Sequence, residues 1–351
     1  MGFASVRPYG FRNLLDRRVD CDAPEVFLIG DNGQGKTNFI EAVHVLCHGT
    51  SFRTRVDRRL VRRGGEEAAV EGILRFPGGT EIQILVNGKG LHDRAELLAN
   101  IPCIVFSHED FDFVTGEPER RRWFLNQTLG MSDPQYIAAL RLYRRVLLSR
   151  NTVVRSRREE LLDHYDRQLA AHGYEIQSRR ERALSEFAGV FTSLFERVSG
   201  LELPVGLRYL PSWQGIESPA GAEELIRGRR ELDLRFGVTT SGPHRDSYTF
   251  ISDGREFEQV ASTGQLRLCS LILRVAQAHY ALAHTGKRPI LLLDDVILEL
   301  DARRKQAFVD NLPERDQAFF TFLSDESYAS FRKPRSISYS VREGRLEACG
   351  A

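Results

Sequence analysis

A glycine-rich segment constrains the fold of this chain more than any other feature of its sequence. Residues 30–37 read GDNGQGKT, which fits the pattern GxxxxGK followed by Ser or Thr at every fixed position. An apolar run at 25–29 precedes the segment, and apolar residues at helical spacing follow it from Lys36 to a stop at Gly49. This order of strand, glycine loop and helix predicts a phosphate-binding loop in an α/β protein.

The residues of this loop have separate chemical roles. Glycines let backbone N–H groups curl around a phosphate, and the helix N-terminus adds positive potential. We expect Lys36 to reach the terminal phosphates of ATP as a catalytic residue, and Thr37 to hold Mg²⁺ through its hydroxyl. The predicted ATP contacts are Gly30, Asp31, Asn32, Gly33, Gln34, Gly35, Lys36, Thr37 and Asn38.

A pair of carboxylates follows a second apolar run. Residues 290–293 are all apolar and end in Asp294 and Asp295. A buried strand here would bring Asp294 to the Mg²⁺ held by Thr37, and Asp295 would orient or deprotonate the attacking water as a catalytic residue. Because Asp is shorter than Glu, we expect slow hydrolysis. A solvated strand end is the simpler alternative, but the phosphate loop favours the metal site.

A third motif precedes a long helix that the sequence predicts over 265–284. Residues 262–265 read STGQ, and taken alone they are typical of an N-cap. Beside the other two motifs, Ser262, Gly264 and Gln265 match the turn with which ATP-binding-cassette ATPases contact the γ-phosphate bound by the opposite subunit. Residues 298–301, LELD, match the turn at which such dimers meet.

The remaining patterns predict a core built from both chain ends around a helical insertion. Two strand-like segments within 68–86 flank a turn at 77–79, and 101–106 reads as another buried strand. Residues 117–200 are charged, glycine-poor and helical, but too few for long coiled-coil arms. We predict three parts: 1–115, the N-terminal part of the ATPase core with the P-loop and an antiparallel β subdomain; 116–235, an inserted, mainly helical lobe; and 236–351, the C-terminal part of the core.

Charge and cysteine content narrow the function classes. The 49 Lys and Arg nearly balance the 48 Asp and Glu, for a net charge of +1. This excludes a histone-like binder but leaves room for a local basic face. The run Arg120–Arg122 is one candidate DNA contact, and a solvated helix start is the favoured alternative. Scattered cysteines and the absence of any run of about 20 apolar residues predict a cytoplasmic protein without a membrane partner.

Several segments together resemble the RecF family of bacterial DNA repair proteins, in the SMC-like branch of the cassette ATPases. The segments that carry the resemblance are DNGQGKTN from Asp31, SGPHRDS at 241–247, STGQLR from Ser262 and LLLDDVILELD from Leu291. Residues 106–129 resemble the family's entry into its helical lobe, and the match is weakest at 151–230. Asn126 and Ser247 stand where the family usually has Asp.

The resemblance implies an ABC/SMC-type P-loop ATPase head: a mixed sheet with helices, an antiparallel β subdomain and an inserted helical lobe. It also implies an ATP-dependent homodimer that clamps duplex or gapped DNA and helps RecO and RecR to load RecA in recombinational repair and replication restart. The activity would be a slow, DNA-stimulated ATPase with ATP and Mg²⁺ as cofactors.

Three other P-loop classes are alternatives to this interpretation. A transporter ATPase subunit would carry a switch His, but Thr321 stands at the comparable place and is the candidate switch residue. A nuclease-associated ATPase would have longer coiled-coil arms than 117–200 allows. A small-molecule kinase would have no use for the turn at 262–265.

Overall fold

Two compact units form the chain in the computed structural model, which describes residues 1–54, 56–76, 78–87, 101–201, 203–297, 300–324 and 331–349. Residues 1–110 and 277–351 form the first, here called the core unit, and residues 111–276 form the second, the helical unit. No helix within these described ranges combines the length and apolar character needed to cross a membrane.

The core unit contains two sheets. An antiparallel sheet has the order β2-β1-β4-β5 and consists of β1 (Gly2–Tyr9), β2 (Val19–Asp20), β4 (Ala69–Arg75) and β5 (Glu81–Asn87). A second sheet has the order β13-β12-β3-β11-β10-β6 and consists of β3 (Glu25–Ile29), β6 (Cys103–Phe106), β10 (Ile290–Leu293), β11 (Gln317–Phe322), β12 (Ile337–Arg342) and β13 (Arg345–Ala348). Its neighbours pair in parallel except β12 with β13. The predicted strands at 25–29, 101–106 and 290–293 are thereby confirmed, as is the hairpin within 68–86.

Helix α1 (Lys36–His48) packs against both sheets of the core unit. Its buried Phe39 approaches Phe319 of β11, with ring centroids 6.4 Å apart. The helix ends, as predicted, at Gly49, whose φ of 66° is a left-handed conformation that glycine adopts easily. This packing fixes the first turn of α1, and with it the phosphate loop, against the sheet.

The helical unit consists mainly of helices packed around Trp213, which is fully buried with Tyr143 and Ile176. Its elements are α2 (Asp112–Thr115), α3 (Pro118–Ser132), α4 (Pro134–Ser156), α5 (Leu162–Ser199), β7 (Gly206–Leu210), α6 (Pro219–Gly228), α7 (Arg230–Phe236), β8 (Ser247–Ser252), β9 (Arg255–Glu256) and α8 (Phe257–Val260). Two further helices follow in the chain, α9 (Thr263–Thr285) and α10 (Ala302–Asp310).

Short 3-10 turns complete the secondary structure; they are Asp57–Leu60, His108–Phe111, Glu159–Leu161 and Pro243–Arg245. The predicted helical character of 117–200 is confirmed by α3, α4 and α5. The predicted helix over 265–284 lies within α9.

Two buried arginines connect the elements of the helical unit. Arg150 of α4 donates to Asp166 of α5 at 2.6 Å and to Asp233 of α7 at 2.7 Å. Arg180 of α5 donates to Asp246 at 2.6 Å, close to the start of β8. Because a buried charge is strongly unfavourable without partners, these pairs hold the helices in one arrangement.

The division into units differs from the predicted parts at two places, and the smaller difference is that residues 111–115 belong to the helical unit instead of the N-terminal part of the core. Residues 236–276 belong to the helical unit, whereas the sequence placed them with the C-terminal part of the core. The cause is strand pairing, because β8 pairs antiparallel with β7 over the whole length of β7. Two predicted turns lie partly outside the described residues, since Pro77 of the hairpin turn and Leu298 and Glu299 of the LELD segment fall there.

Candidate nucleotide-binding site

The phosphate loop joins β3 to α1 and has the backbone that its glycines predict. Gly33 and Gly35 have φ values of 78° and 120°, which L side chains rarely adopt. At Gly30 an added Cβ would lie 2.4 Å from the carbonyl oxygen of Val341, so only glycine fits beside β12. The loop therefore requires glycine for two separate reasons, conformation and close approach.

Lys36 is buried, and its ammonium group lies inside this loop. The Nζ atom donates to the carbonyl oxygen of Gly30 at 2.6 Å and to that of Asp31 at 3.3 Å. These bonds hold the charge within the curve of the backbone, where a phosphate group would meet it. Asp31 in turn accepts from the hydroxyl of Ser324 at 2.7 Å.

Thr37 and Asp294 meet beside the loop although 257 positions separate them in the sequence. The Thr37 hydroxyl donates to Asp294 Oδ1 at 2.9 Å. Asp294 follows β10, and its backbone N–H donates to Phe106 of the neighbouring β6 at 2.9 Å, which fixes the strand end. The structure thus brings together the two residues that the sequence predicted as Mg²⁺ ligands.

Asp295 has an unusual backbone conformation that Thr321 supports. Its φ of 54° is left-handed, which is uncommon for a residue other than glycine. The Asp295 N–H donates to the Thr321 hydroxyl at 2.7 Å, and that hydroxyl donates back to Asp295 Oδ1 at 2.7 Å. Thr321 lies in β11, the strand next to β10, and also approaches Asp294 Oδ1 at 3.3 Å.

Burial changes the protonation of the strand-end carboxylate. Removal from water, and next the neighbouring Asp295 carboxylate, raise the pKa of Asp294 to about 6. The Thr37 and Thr321 hydroxyls act in the opposite direction because both hydrogen-bond the charged form. A buried carboxylate of this kind is unfavourable when it is ionised without a partner, so it is well suited to bind a cation.

The residues present fit Mg²⁺ with ATP. Mg²⁺ prefers oxygen ligands and usually takes one or two from the protein and the others from phosphates and water. The Thr37 hydroxyl and the Asp294 carboxylate supply such oxygens next to the phosphate loop. When bound, the metal would neutralise charge on the phosphates, and Thr37 and Asp294 are the residues that would hold it.

Sequence reasoning missed several residues that brace the loop. Asn13 lies with its amide nitrogen 3.4 Å from the carbonyl oxygens of Gly33 and Gln34, and it accepts from Asn38 at 2.7 Å. The Gln34 carbonyl also accepts from the N–H of Gly344, in the turn between β12 and β13, at 2.7 Å. No local pattern marks these positions, because their role exists only once distant strands come together.

A charged cluster follows the loop on α1. Arg53 donates to the Asn38 side chain at 3.0 Å and pairs with the fully buried Glu41 at 3.5 Å. Arg12 binds the same carboxylate through two nitrogens, at 2.8 and 2.9 Å. The sequence offered no signal for this cluster beyond single charged residues.

The STGQ turn at the start of α9 is a capping box. The Ser262 N–H donates to Gln265 Oε1 at 2.8 Å, and the Gln265 N–H donates back to the Ser262 hydroxyl at 3.3 Å. Ser262 and Gly264 are nevertheless exposed, and a Cβ on Gly264 would meet nothing within 4 Å. The N-cap interpretation is confirmed, and the helix N-terminus still faces solvent with its positive end.

Two arginines of the run at 120–122 make hydrogen bonds within the helical unit. Arg121 donates to the carbonyl oxygens of Val114 and Tyr248 at 2.7 and 2.9 Å, and Arg122 donates to that of Asp246 at 3.0 Å. Burial also lowers the pKa of Arg122. These two residues join α3 to β8, so neither the DNA contact nor the solvated helix start describes their contacts in the structure.

Comparisons with known proteins show the family of this chain. A family model described as the RecF/RecN/SMC N-terminal domain matches residues 4–343. Two curated relatives are named DNA replication and repair protein RecF. The one from Treponema pallidum is 39% identical over 95% of this chain and 97% of that protein, and the one from Desulforudis audaxviator is 35% identical over 92% and 94%.

Solved structures show the same fold. A structure described as the recombination mediator protein RecF with ATP, in the RecFOR pathway, covers 99% of this chain and 98% of that chain, with a TM-score of 0.88 and 25% identity. An Smc head bound to the C-terminal winged-helix domain of ScpA has a TM-score of 0.55 at 16% identity, which speaks to fold alone.

The phosphate loop between β3 and α1, with the Asp294 carboxylate beside Thr37, defines a P-loop protein, and the match to the RecF/RecN/SMC model places it among the ABC/SMC-type ATPase heads. Within this class, relatives that are up to 39% identical over nearly the whole chain identify the family. The chain belongs to the RecF family of DNA replication and repair proteins.

Proposed function

We propose that this protein is an ATP-driven DNA clamp of recombinational repair and replication restart. Two copies close around ATP, and each γ-phosphate contacts the phosphate loop of one copy and the STGQ turn of the other. The observation that carries the proposal is the exposed, capped turn at Ser262–Gln265 in a chain whose own phosphate loop already has its threonine and carboxylate together. A second helix N-terminus of this kind suits an anion bound elsewhere.

Within each site the residues have distinct roles. Lys36 and the loop N–H groups bind the phosphates, and Thr37 with Asp294 holds Mg²⁺. Asp295 orients or deprotonates the attacking water, and its short side chain makes hydrolysis slow. DNA accelerates this turnover by favouring the closed dimer in which both halves of the site are present.

The nucleotide acts as a switch because ATP and ADP differ in what they contact. Loss of the γ-phosphate removes the bridge between the loop and the STGQ turn, so ADP favours the open state. ATP therefore drives closure around DNA, and slow hydrolysis releases it.

The names of the relatives support a biological setting for this proposal. Curated members are named DNA replication and repair proteins, and the ATP-bound structure is described as a recombination mediator in the RecFOR pathway. By this resemblance the clamp acts in the cytoplasm on duplex DNA near single-strand gaps, where it assists RecO and RecR in loading RecA.

Gel filtration with light scattering tests the proposal. We expect a molar mass of one chain without nucleotide or with ADP, and of two chains with Mg·ATP, with the dimer further favoured by a gapped duplex. Lys36→Met, which removes the ammonium group from the loop, serves as the control that stays monomeric. A parent protein that remains a single chain at saturating Mg·ATP, with and without DNA, contradicts the proposal.

A further inference from the structure

Helix α4 presents an outward face of arginines. Its 23 residues include five arginines and no acidic residue. Arg141, Arg144, Arg145 and Arg155 are exposed on one side, which we call the α4 arginine face. They are spaced at i, i+3, i+4 and i+14, so they fall on the same side of a helix. Positive charge is thus concentrated on this helix face, although the net charge of the whole chain is only +1.

The arginines of this face differ from the buried arginines of the same unit in their pairing. Arg150, on the opposite side of α4, binds two carboxylates, Asp166 and Asp233. Arg141, Arg144 and Arg145 pair with no carboxylate among the residues that the structure describes. Like charges one turn apart repel each other, so this face is unfavourable for the isolated protein and becomes favourable when an anion covers it.

The face is rigidly presented, because the opposite side of α4 is anchored. Arg150 fixes the helix to α5 and α7 through its two carboxylates, and Tyr143 is buried beside Trp213. At the far end Arg155 donates to the carbonyl oxygen of Gly237 at 3.3 Å, which ties α4 to the segment after α7. The positions of the arginines are therefore set by the fold.

We propose that the α4 arginine face binds the phosphate backbone of duplex DNA. This inference rests on the proposed function, and it assigns a surface to the DNA. Arg141 and Arg155 are separated by a helix length of about 21 Å, which matches about six base pairs of duplex. Guanidinium groups match phosphates in geometry and keep their charge at any physiological pH.

A DNA backbone fits this face better than an acidic protein does. A protein interface has an apolar core with charged residues at its rim, whereas here the arginines occupy the face itself. The exposed apolar side chains of α4 are few beside the four arginines, namely Leu148, which is 69% exposed, and Leu142, which is 43% exposed. A repeating row of charges is what the backbone of DNA offers, and it needs no apolar centre.

The central test removes three charges from the face. Arg141→Gln, Arg144→Gln and Arg145→Gln are combined in one variant, since glutamine keeps a high helix propensity. The matched control combines Arg167→Gln, Arg182→Gln and Arg197→Gln on α5, where exposed arginines alternate with acidic residues. Binding to a labelled gapped duplex is measured by fluorescence anisotropy with Mg·ATP at several KCl concentrations, and circular dichroism checks folding.

We expect the α4 variant to bind DNA at least about tenfold more weakly than the control variant. The slope of log K against log[KCl] should become shallower by about 2 to 3, close to one for each phosphate that the variant no longer neutralises. Lysines at the same three positions should restore most of the slope. A folded α4 variant that keeps the parent affinity and slope overturns the inference, even if the binding of a protein partner is lost.

Photo-crosslinking gives an independent readout, because it reports which surface lies next to the bound DNA. Four of the five cysteines are buried, so Cys349→Ser leaves a background in which an introduced cysteine is labelled selectively. A benzophenone on Leu148→Cys should crosslink to DNA, whereas one on Leu203→Cys, also exposed and in the same unit, should not. Equal crosslinking from both sites contradicts the assignment. If the parent protein binds no DNA at all, the proposed function fails together with this inference.

Discussion

At the scale of single residues, Thr321 makes the hydrogen bonds that hold Asp295 in its unusual backbone conformation. The sequence made it the candidate switch residue, and in the structure its buried hydroxyl contacts the N–H and the carboxylate of Asp295. A left-handed conformation costs about 1–3 kcal/mol at a residue other than glycine, so some interaction must hold it. The two bonds to Thr321 provide that support.

We therefore expect Thr321→Val to slow ATP hydrolysis by about tenfold, equivalent to about 1.4 kcal/mol. Valine keeps the shape of the side chain but removes the hydroxyl that positions Asp295, so binding of Mg·ATP should change little. Single-turnover hydrolysis and nucleotide titration separate the two effects. Thr321→Ser is the control that should retain most of the rate; equal losses in Val and Ser variants would argue against the hydroxyl.

His244 is held neutral in the helical unit. Its Nδ1 lies 2.7 Å from the Tyr143 hydroxyl, and its Nε2 lies 3.0 Å from the carbonyl oxygen of Thr239. The neutral ring satisfies both contacts if the hydroxyl donates to Nδ1 and the Nε2–H donates to the carbonyl. Burial, reinforced by the charge of Arg245, lowers the pKa of His244 to about 4.

This depressed pKa makes stability depend on pH. As pH falls from 6.5 to 4, an unfolded chain takes up a proton at His244 and the folded chain does not. The free energy of unfolding should therefore fall by up to roughly 3 kcal/mol through this group. Urea unfolding of the parent and of His244→Gln at pH 7 and 4.5 isolates the effect, because other groups titrate in both. If the parent and the variant differed in free energy of unfolding by the same amount at both pH values, the prediction for His244 would be wrong.

Residues of the site differed in how well the sequence predicted them. Gly30, Lys36, Thr37 and Asp294 could be found because their spacing follows from the chemistry of a phosphate and its metal. Asn13 could not, since its position beside the loop depends on contacts between strands far apart in the sequence.

At the scale of elements, the STGQ turn is a cap in its own chain and a candidate phosphate contact for another. In the cap the Ser262 hydroxyl oxygen accepts a hydrogen bond, whereas in the phosphate contact its O–H would donate, together with the positive end of the helix. The capping box holds Ser262 in place, and this order reduces the entropy lost when a phosphate binds.

We expect Ser262→Arg to leave ATP binding by the single chain within about twofold of the parent, and to weaken the ATP-dependent dimer by more than about tenfold, or 1.4 kcal/mol. The bulky cation blocks the approach of the partner's nucleotide, whereas the phosphate loop stays intact. Nucleotide titration and light scattering measure the two quantities. Ser262→Ala serves as control for the lost cap, and a normal dimer with Ser262→Arg would mean that the turn only caps α9.

Strands and helices with strong periodicity were predicted, and weakly patterned ones were not. β3 and β10 are continuous apolar runs, as expected for parallel strands covered on both faces. β1 contains Gly2 and Pro8, so it had no clear signal. Its pairing with β4 decides its conformation, which local sequence does not encode.

At the scale of the whole molecule, the proposed clamp would open only after hydrolysis. We expect Asp295→Asn to trap an ATP dimer that outlives that of the parent by about tenfold or more, since removing the carboxylate that we propose to activate water would raise the barrier by at least about 1.4 kcal/mol. Asparagine keeps an oxygen that can accept from Thr321, so the fold of the site is retained. Dimer decay after rapid removal of free Mg·ATP measures the lifetime. Parent-like decay and unchanged turnover would exclude Asp295 from the reaction.

The position of β3 in its sheet has a consequence for the newly made protein. β3 lies between β11 and β12, which both come from the last part of the chain. While the ribosome is still adding residues, this apolar strand has no neighbours, and its exposed edges invite aggregation. The phosphate loop that follows β3 lacks its hydrogen bond from the N–H of Gly344 until the turn after β12 has emerged. Nascent chains should therefore depend on a chaperone to shield β3, and nucleotide can stabilise only a chain in which β11 and β12 have already been made.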